Sequence, residues 1–369
     1  MTNHKSLKKI FNYKKTLITG HTGFKGSWLS AWLHLLGADV YGVSLSIPPS
    51  NPSHFQAGGF SKFVKERHID IRKSNELSEY VNDIKPDFVF HLAAQSLVRL
   101  SYEDPVETYQ TNALGTLNLL EALRLLKNKC SVVLITSDKC YNNLEWAWGY
   151  RETDSLGGQD PYSASKGAAE LVIRSHVNSF FPVDGSVRIA VGRAGNVIGG
   201  GDWSKDRIVP DCVRSWAKQE TVHLRNPQAT RPWQHVLEPL SGYLTLAKGL
   251  HEKVDLHGEP FNFGPLSYQN NSVKELVQEM SKYWEQVKWN NASDKGEKHY
   301  ESALLKLNCD KALFHLDWQG VLSFKETVRM TAEWYRSYYD DSSTICGKTF
   351  SQIKEYESFA YNKGIKWAL

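Results

Sequence analysis

Gly20, Gly23 and Gly26 stand three residues apart, directly after the β-prone run Thr16-Leu17-Ile18-Thr19. No other feature restricts the fold as tightly. One glycine permits the sharp turn out of the strand. A second lets backbone approach a pyrophosphate closely, and a third lets the next helix sit tight on the strand. The helix predicted over residues 26–36 carries Trp28, Leu29, Trp32, Leu33 and Leu36 at helical spacing. Its first N–H groups lack intrahelical partners and attract anions. A lone G-x-x-G-x-x-G is a weak signal. Between a first strand and a first helix it reads as a dinucleotide fingerprint.

The alternation continues. Strands are predicted over 40–45, 87–91, 132–136 and 186–191, with helices over 75–84, 105–126 and 161–180. The strands are continuously apolar, as strands buried on both faces are. Alternation of this kind predicts an α/β fold, a Rossmann doubly wound parallel sheet with helices on both faces. A loop rich in Gly and Asp over 192–210 breaks the pattern. Helices near 210–218, 238–250, 272–285 and 324–338 follow, with short strands at 221–224 and 261–263. The chain has 369 residues, enough for about two lobes. We expect a Rossmann domain over 1–192 and a smaller, mixed α/β C-terminal substrate-binding lobe over 193–369, with 261–264 returning to the sheet. The tail after Asp340 carries no assignment.

Composition narrows the function classes. Lys plus Arg is 44 against 40 for Asp plus Glu, and the excess is spread along the chain. That argues against a nucleic-acid specialist and suits an anionic small ligand. No apolar run is long enough for a membrane-spanning helix. The five cysteines are dispersed without a CxxC pair, and the thirteen histidines form no HxxxH or HxH cluster. Neither a disulfide framework nor a metal site is expected. The basic N-terminal stretch has no signal-peptide apolar core, so a cytoplasmic protein is expected.

Two segments carry chemistry. Asp160 suits a helix N-cap and Pro161 the first helical position, which sets Tyr162 and Lys166 one turn apart on one face. A neighbouring ammonium favours a phenolate, so Lys166 is expected to acidify Tyr162. Thr136-Ser137-Asp138-Lys139 ends the strand over 132–136, at the sheet edge where ligands bind in such folds. Ser137 can hydrogen-bond a substrate hydroxyl, and Asp138 and Lys139 bring a potential acid and base together. The second strand ends Val43-Ser44-Leu45-Ser46 with no acidic residue for an adenosine ribose, which leaves NAD against NADP open. Asp70 is a candidate for the adenine edge, and Lys25 for a phosphate.

The motifs GHTGFKG, HLAAQ, TNALGT, TSDKCY, YSASK and GRAGNVIGGGDW make the chain resemble the extended short-chain dehydrogenase/reductase family over most of its length. The longer stretches AAQSLVRLSYEDP, SDKCYNN, GNVIGGGDWSKDRIVPD and RNPQATRPWQHVLEPLSGY look most like its 4,6-dehydratases of CDP-sugars. The resemblance implies NAD as cofactor, held by Gly20, Thr22, Gly23, Phe24, Lys25, Gly26, Asp70, Ile71, Leu92, Ala93, Ala94, Thr136, Tyr162 and Lys166. It implies a catalytic set of Ser137, Asp138, Lys139, Tyr162 and Lys166. Lys139 falls where related dTDP-glucose dehydratases carry Glu, and which of Asp138 and Lys139 is acid and which base stays open. The implied substrate is CDP-glucose, a precursor of O-antigen deoxysugars. Gln95, Ser137, Asn196, Arg207, Arg225, Arg231 and His235 are its expected contacts. Pairing through the helices over 105–126 and 161–180 would give a homodimer, or a tetramer. A 4-epimerase and a non-catalytic dinucleotide sensor are the rival readings.

Overall fold

The fingerprint strand β1 (Lys15–Thr19) is buried at every position after its first residue. The computed structural model, which describes residues 5–224, 226–266, 268–284, 287–291 and 304–369, sets it inside a seven-stranded sheet. Its companions are β2 (Asp39–Ser44), β3 (Lys65–His68), β4 (Phe88–His91), β5 (Cys130–Ile135), β6 (Val187–Arg193) and β7 (Pro260–Asn262). The order is β7-β6-β5-β4-β1-β2-β3, and every pairing is parallel. The order reverses between β1 and β4, which opens a crevice beyond their carboxyl ends.

Side-chain alternation divides the core. Phe88 and Phe90 of β4 face one apolar cluster, with Trp28, Trp32, Leu240 and Trp334. Val89 faces the other, with Leu17, Leu119, Val132 and Ile173. The helix Leu237–Glu252 is buried along most of its length and lies on β5 and β6, so chain from the second half completes the sheet's covering layer. β7 likewise returns to pair with β6.

Several expectations need adjustment. β3 (KERH) was not foreseen: all its side chains are exposed, so only its backbone ladder with β2 marks it as strand. The helix expected over 105–126 is broken into Pro105–Tyr109 and Gly115–Arg124 by a π-turn at Gln110–Leu114. Such bulges redirect side chains, and here Asn112 donates to Ser165 Oγ at 2.9 Å and to the Gln95 carbonyl at 3.0 Å. The helix expected over 272–285 ends at Met280 and tightens into a 3₁₀ turn.

The unassigned tail forms the helix Ile345–Asn362. Ile345, Thr349, Ile353, Tyr356 and Ala360 form its buried stripe. It packs on the fingerprint helix Phe24–Leu35, where Trp32 Nε1 donates to Glu357 Oε1 at 2.8 Å and Trp32 meets Tyr356 edge-on. Among the described residues no helix is long and apolar enough to cross a membrane.

Candidate active site at the carboxyl edge of the sheet

The turn after β1 is built from backbone. Gly20 has φ +76°, and a Cβ there would come within 2.7 Å of the Ala93 nitrogen. A Cβ on Gly26 would lie 2.1 Å from the Gly20 carbonyl oxygen. Gly23 caps the helix Phe24–Leu35 without a side-chain hydrogen bond, so its first-turn N–H groups have no side-chain cap. Leu92 and Ala93, which follow β4, form the opposite wall of the cradle, and Ala94 comes next in the chain. A glycine-lined cradle at an uncapped helix N-terminus fits the pyrophosphate of a dinucleotide. Thr22 is buried, and the Phe24 ring packs toward Gly199. Lys25 faces Arg207, Asp138, Lys166 and Asp202, and burial pushes its ammonium down to about 8.

At the adenosine end the second-strand acid is indeed missing. A carboxylate of β3, Glu66, reaches this region instead and meets His21 Nε2 at 3.3 Å. The His21 ring fills the space beside Gly42, where a Cβ would lie 2.5 Å from it. The Asp70 carboxylate is already taken: Arg72 binds it through Nε at 2.9 Å and Nη2 at 2.6 Å, which holds the carboxyl below its usual range. Asp70 thus enters the site region as the partner of Arg72 on the loop after β3. Ile71 is buried against Gly115.

Directly beyond β5, Ser137 caps a 3₁₀ turn, Asp138–Cys140. Its Oγ donates to Asp138 Oδ1 at 2.8 Å and accepts from the Lys139 backbone N–H at 3.2 Å. The helix Pro161–Phe180 begins as predicted, with Asp160 accepting from Ser163 N. Its buried face brings Tyr162 close enough to Ser137 for that hydroxyl to act on the phenol. Lys166 lies one turn further along the same buried face. Burial pushes the phenol up to about 12, against the Ser137 hydroxyl and the Arg207 charge, and Asp138 raises it further. Burial also pushes the Lys166 ammonium down to about 8, opposed by Cys140 and Glu170. Both groups have left water, and lost hydration is the largest cause of each shift.

Asp138 and Lys139 face different neighbours. The Asp138 carboxylate rests on Gly195 and accepts from Asn196 Nδ2 at 3.2 Å. Lys139 lines a small cavity with Tyr141, Asn143, Gly158, Asp160 and Ser163. Thr136 donates its hydroxyl to Glu170 Oε1 at 2.5 Å. Its side chain is buried behind the site, drawn there by the carboxylate.

The expected substrate contacts divide. Arg207 stands on the loop after β6, anchored to Asp202 Oδ2 at 2.8 Å and close enough to Tyr162 to act on its charge. Asn196 holds a left-handed backbone (φ +53°), which aims its amide at Asp138. Arg231 lies on the short strand Thr230–Arg231 and donates to the Thr230 carbonyl at 2.9 Å. Arg225 lies outside the described residues.

Gln95 is tied into its own loop. Its amide folds back, donating to the Leu97 carbonyl at 3.0 Å and Thr108 Oγ1 at 2.9 Å while accepting from Leu97 N at 2.5 Å. His235 is wholly buried, edge-on to Trp28, and desolvation keeps it neutral down to about 3. Arg99, on the helix Val98–Glu103, pairs with Asp206 at 2.7 Å and so joins that helix to the loop after β6. Among the described residues no group of three or more His, Cys, Asp or Glu side chains is placed to hold a metal ion.

The profile of the GDP-mannose 4,6 dehydratase family matches residues 17–331. The chain belongs to this family. A CDP-glucose 4,6-dehydratase from Salmonella typhimurium is 45% identical over 95% of this chain and 98% of its own length. A CDP-paratose 2-epimerase from Salmonella typhi is 25% identical over 88% of the chain and 99% of its own. Among solved structures, the epimerase Mth375 from Methanothermobacter thermautotrophicus aligns with TM-score 0.77 at 22% identity, covering 92% of this chain and 97% of its own. A UDP-glucuronic acid 4-epimerase from Bacillus cereus, in complex with UDP-glucuronic acid and NAD, aligns with TM-score 0.74 at 21% identity over 88% of this chain and 100% of its own. These two likenesses are of fold. The 4,6 dehydratase family thus shares the sheet and the crevice described above.

Proposed function

We propose that this member of the family converts CDP-glucose to CDP-4-keto-6-deoxyglucose. The observation that carries the reading is the 45% identity, over nearly the whole chain, to a dehydratase of that substrate. The Ser137–Lys139 turn facing Tyr162 supplies matching chemistry. Bound NAD would supply the chemistry this chain lacks, accepting hydride from carbon 4 and returning it at carbon 6.

The chain's residues manage position and protons. Ser137 and Tyr162 hold the 4-hydroxyl, and Tyr162 takes its proton. A phenol near 12 must fall toward neutrality to do so. Arg207, Lys166 and a cationic nicotinamide are the charges that would bring it down. The 4-ketone acidifies the hydrogen at carbon 5. Lys139, or a water it positions, removes that proton, and Asp138 gives one to the departing 6-hydroxyl. Arg207 and Arg231 are assigned to the pyrophosphate, which guanidinium binds bidentately.

The assembly we propose is a homodimer in the cytoplasm, supplying a deoxysugar for O-antigen lipopolysaccharide. Val106 and Leu114 on one side, and Leu171 on the helix Pro161–Phe180, are exposed apolar residues suited to pairing. A monomer by light scattering at micromolar concentration would remove the dimer.

The deciding experiment incubates the protein with CDP-glucose and dTDP-glucose side by side in heavy water and identifies products by NMR. We expect the CDP-linked 4-keto-6-deoxy sugar with deuterium at carbon 5. Equal turnover of both substrates would defeat the CDP assignment. A C4 epimer without deuterium at carbon 5 would make the protein an epimerase.

A further inference from the structure

Tyr162 and Lys166 have a third partner on their helical face, one turn further on: Glu170. Glu170 and Arg193 are 4% and 2% exposed. Arg193 grips the carboxylate with two parallel bonds, Nε to Oε1 at 2.8 Å and Nη2 to Oε2 at 2.9 Å. The pair then reaches both ends of one segment. Glu170 Oε1 accepts the Thr136 hydroxyl at 2.5 Å, and Arg193 Nη1 donates to the Tyr141 oxygen at 2.7 Å. Tyr141 passes the chain on, donating to Asn262 Oδ1 of β7 at 2.8 Å. Between Thr136 and Tyr141 lies the turn bearing Ser137, Asp138 and Lys139.

We propose that Glu170 and Arg193 are positioning residues for the reaction, clamping both ends of the Ser137–Lys139 turn against the helix face that carries Tyr162 and Lys166. The proposal rests on the dehydratase reading of that turn. Stability alone is a poor reason for such a pair. Taking two charges out of water costs about as much as their attraction returns, and well-packed apolar replacements are often no less stable. What a bidentate pair with two further tethers provides is a fixed distance between β5, β6 and the helix. A reacting group displaced by about 1 Å can lose on the order of a hundredfold in rate. The pair also bears on charge. Glu170 opposes the desolvation of the Lys166 ammonium, together with Cys140, while Lys25 lies on the same side and buried His91 stays neutral.

The test compares three proteins: wild type, Thr136→Val, and the double variant Glu170→Gln/Arg193→Met. Thr136→Val cuts one tether, keeps the shape and leaves the ion pair intact. The readouts are kcat and KM for CDP-glucose, the kcat–pH profile, and amide hydrogen exchange in the peptide over 136–141. We expect Thr136→Val to keep its melting temperature within a few degrees. Its kcat should fall about tenfold with KM within about twofold, and the 136–141 amides should exchange faster. The double variant should lose about a hundredfold in kcat. Its alkaline limb should move to lower pH, because an ammonium without its carboxylate neighbour deprotonates sooner. A fall in melting temperature with kcat and exchange unchanged would reduce the pair to a structural role and overturn the proposal. Should the double variant not fold, Thr136→Val decides alone. If wild type leaves CDP-glucose untouched, the dehydratase reading fails separately, and exchange over 136–141 still judges the clamp.

Discussion

The Asp138 carboxylate lies against the open face of Gly195, where a Cβ would stand 1.9 Å from Oδ2. No flexible side chain end is free to yield there, because Ser137 and Asn196 hold Asp138 from two sides. Gly195→Ala must therefore push the carboxylate out of the site. We expect kcat to fall on the order of a hundredfold, the usual scale for losing one proton-transfer group. Full activity in Gly195→Ala would show that the observed position of Asp138 is irrelevant to turnover.

The proton-transfer assignments separate by isotope. Tyr162→Phe should abolish both product formation and deuterium uptake at carbon 5, since no ketone forms. Lys139→Ala should slow uptake about a hundredfold, and Asp138→Asn should slow loss of the 6-hydroxyl by a similar factor. NMR of quenched time points distinguishes the three. Normal deuterium uptake in Lys139→Ala would take the base role away from Lys139.

Tyr162 in the ligand-free protein should titrate late. Burial places its phenol near about 12, so the phenol is neutral below that pH and phenolate absorbance appears only above it. A difference titration at about 295 nm, wild type minus Tyr162→Phe, should stay flat through pH 10. A step near neutrality without ligand would mean that Lys166 acidifies the phenol unaided.

Glu238 gives a stability prediction far from the chemistry. It accepts from the backbone of Val321 at 2.9 Å and Leu322 at 2.6 Å, and from the Tyr356 hydroxyl at 2.7 Å. Burial still raises its carboxyl from 4.5 to about 7. A raised acid binds its proton more tightly when folded, so it adds stability at low pH that is lost as pH climbs from 4.5 through about 7. The shift corresponds to roughly 3 kcal/mol. Glu238→Gln should flatten the pH dependence of urea unfolding across that window. An unchanged slope would sink this account.

Legibility in the sequence followed the physics of each segment. The helix Pro161–Phe180 was readable to the residue, because Asp160 caps it, Pro161 starts it and its period is unbroken. The five inner strands were readable because burial on both faces leaves largely apolar runs. β3 was not, since a strand with every side chain in water has no hydrophobic period. At the site, residue type is a weaker guide in two places. Gln95 and His235 have chemistry a ligand could use, but the amide of one is engaged by its own loop and the ring of the other is wholly buried. Arg193 showed nothing in the sequence, because a single arginine ending a buried strand reveals its partner only once the helix carrying Glu170 is folded beside it.

The helix Ile345–Asn362 completes the wall behind the fingerprint: Thr349 bonds His54 and Trp334, and Glu357 receives the indole of Trp32. The parts of the dinucleotide face thus emerge from the ribosome well before this cover. A nascent chain halted before Ile345 would leave Trp32 of the fingerprint helix without its partners Tyr356 and Glu357.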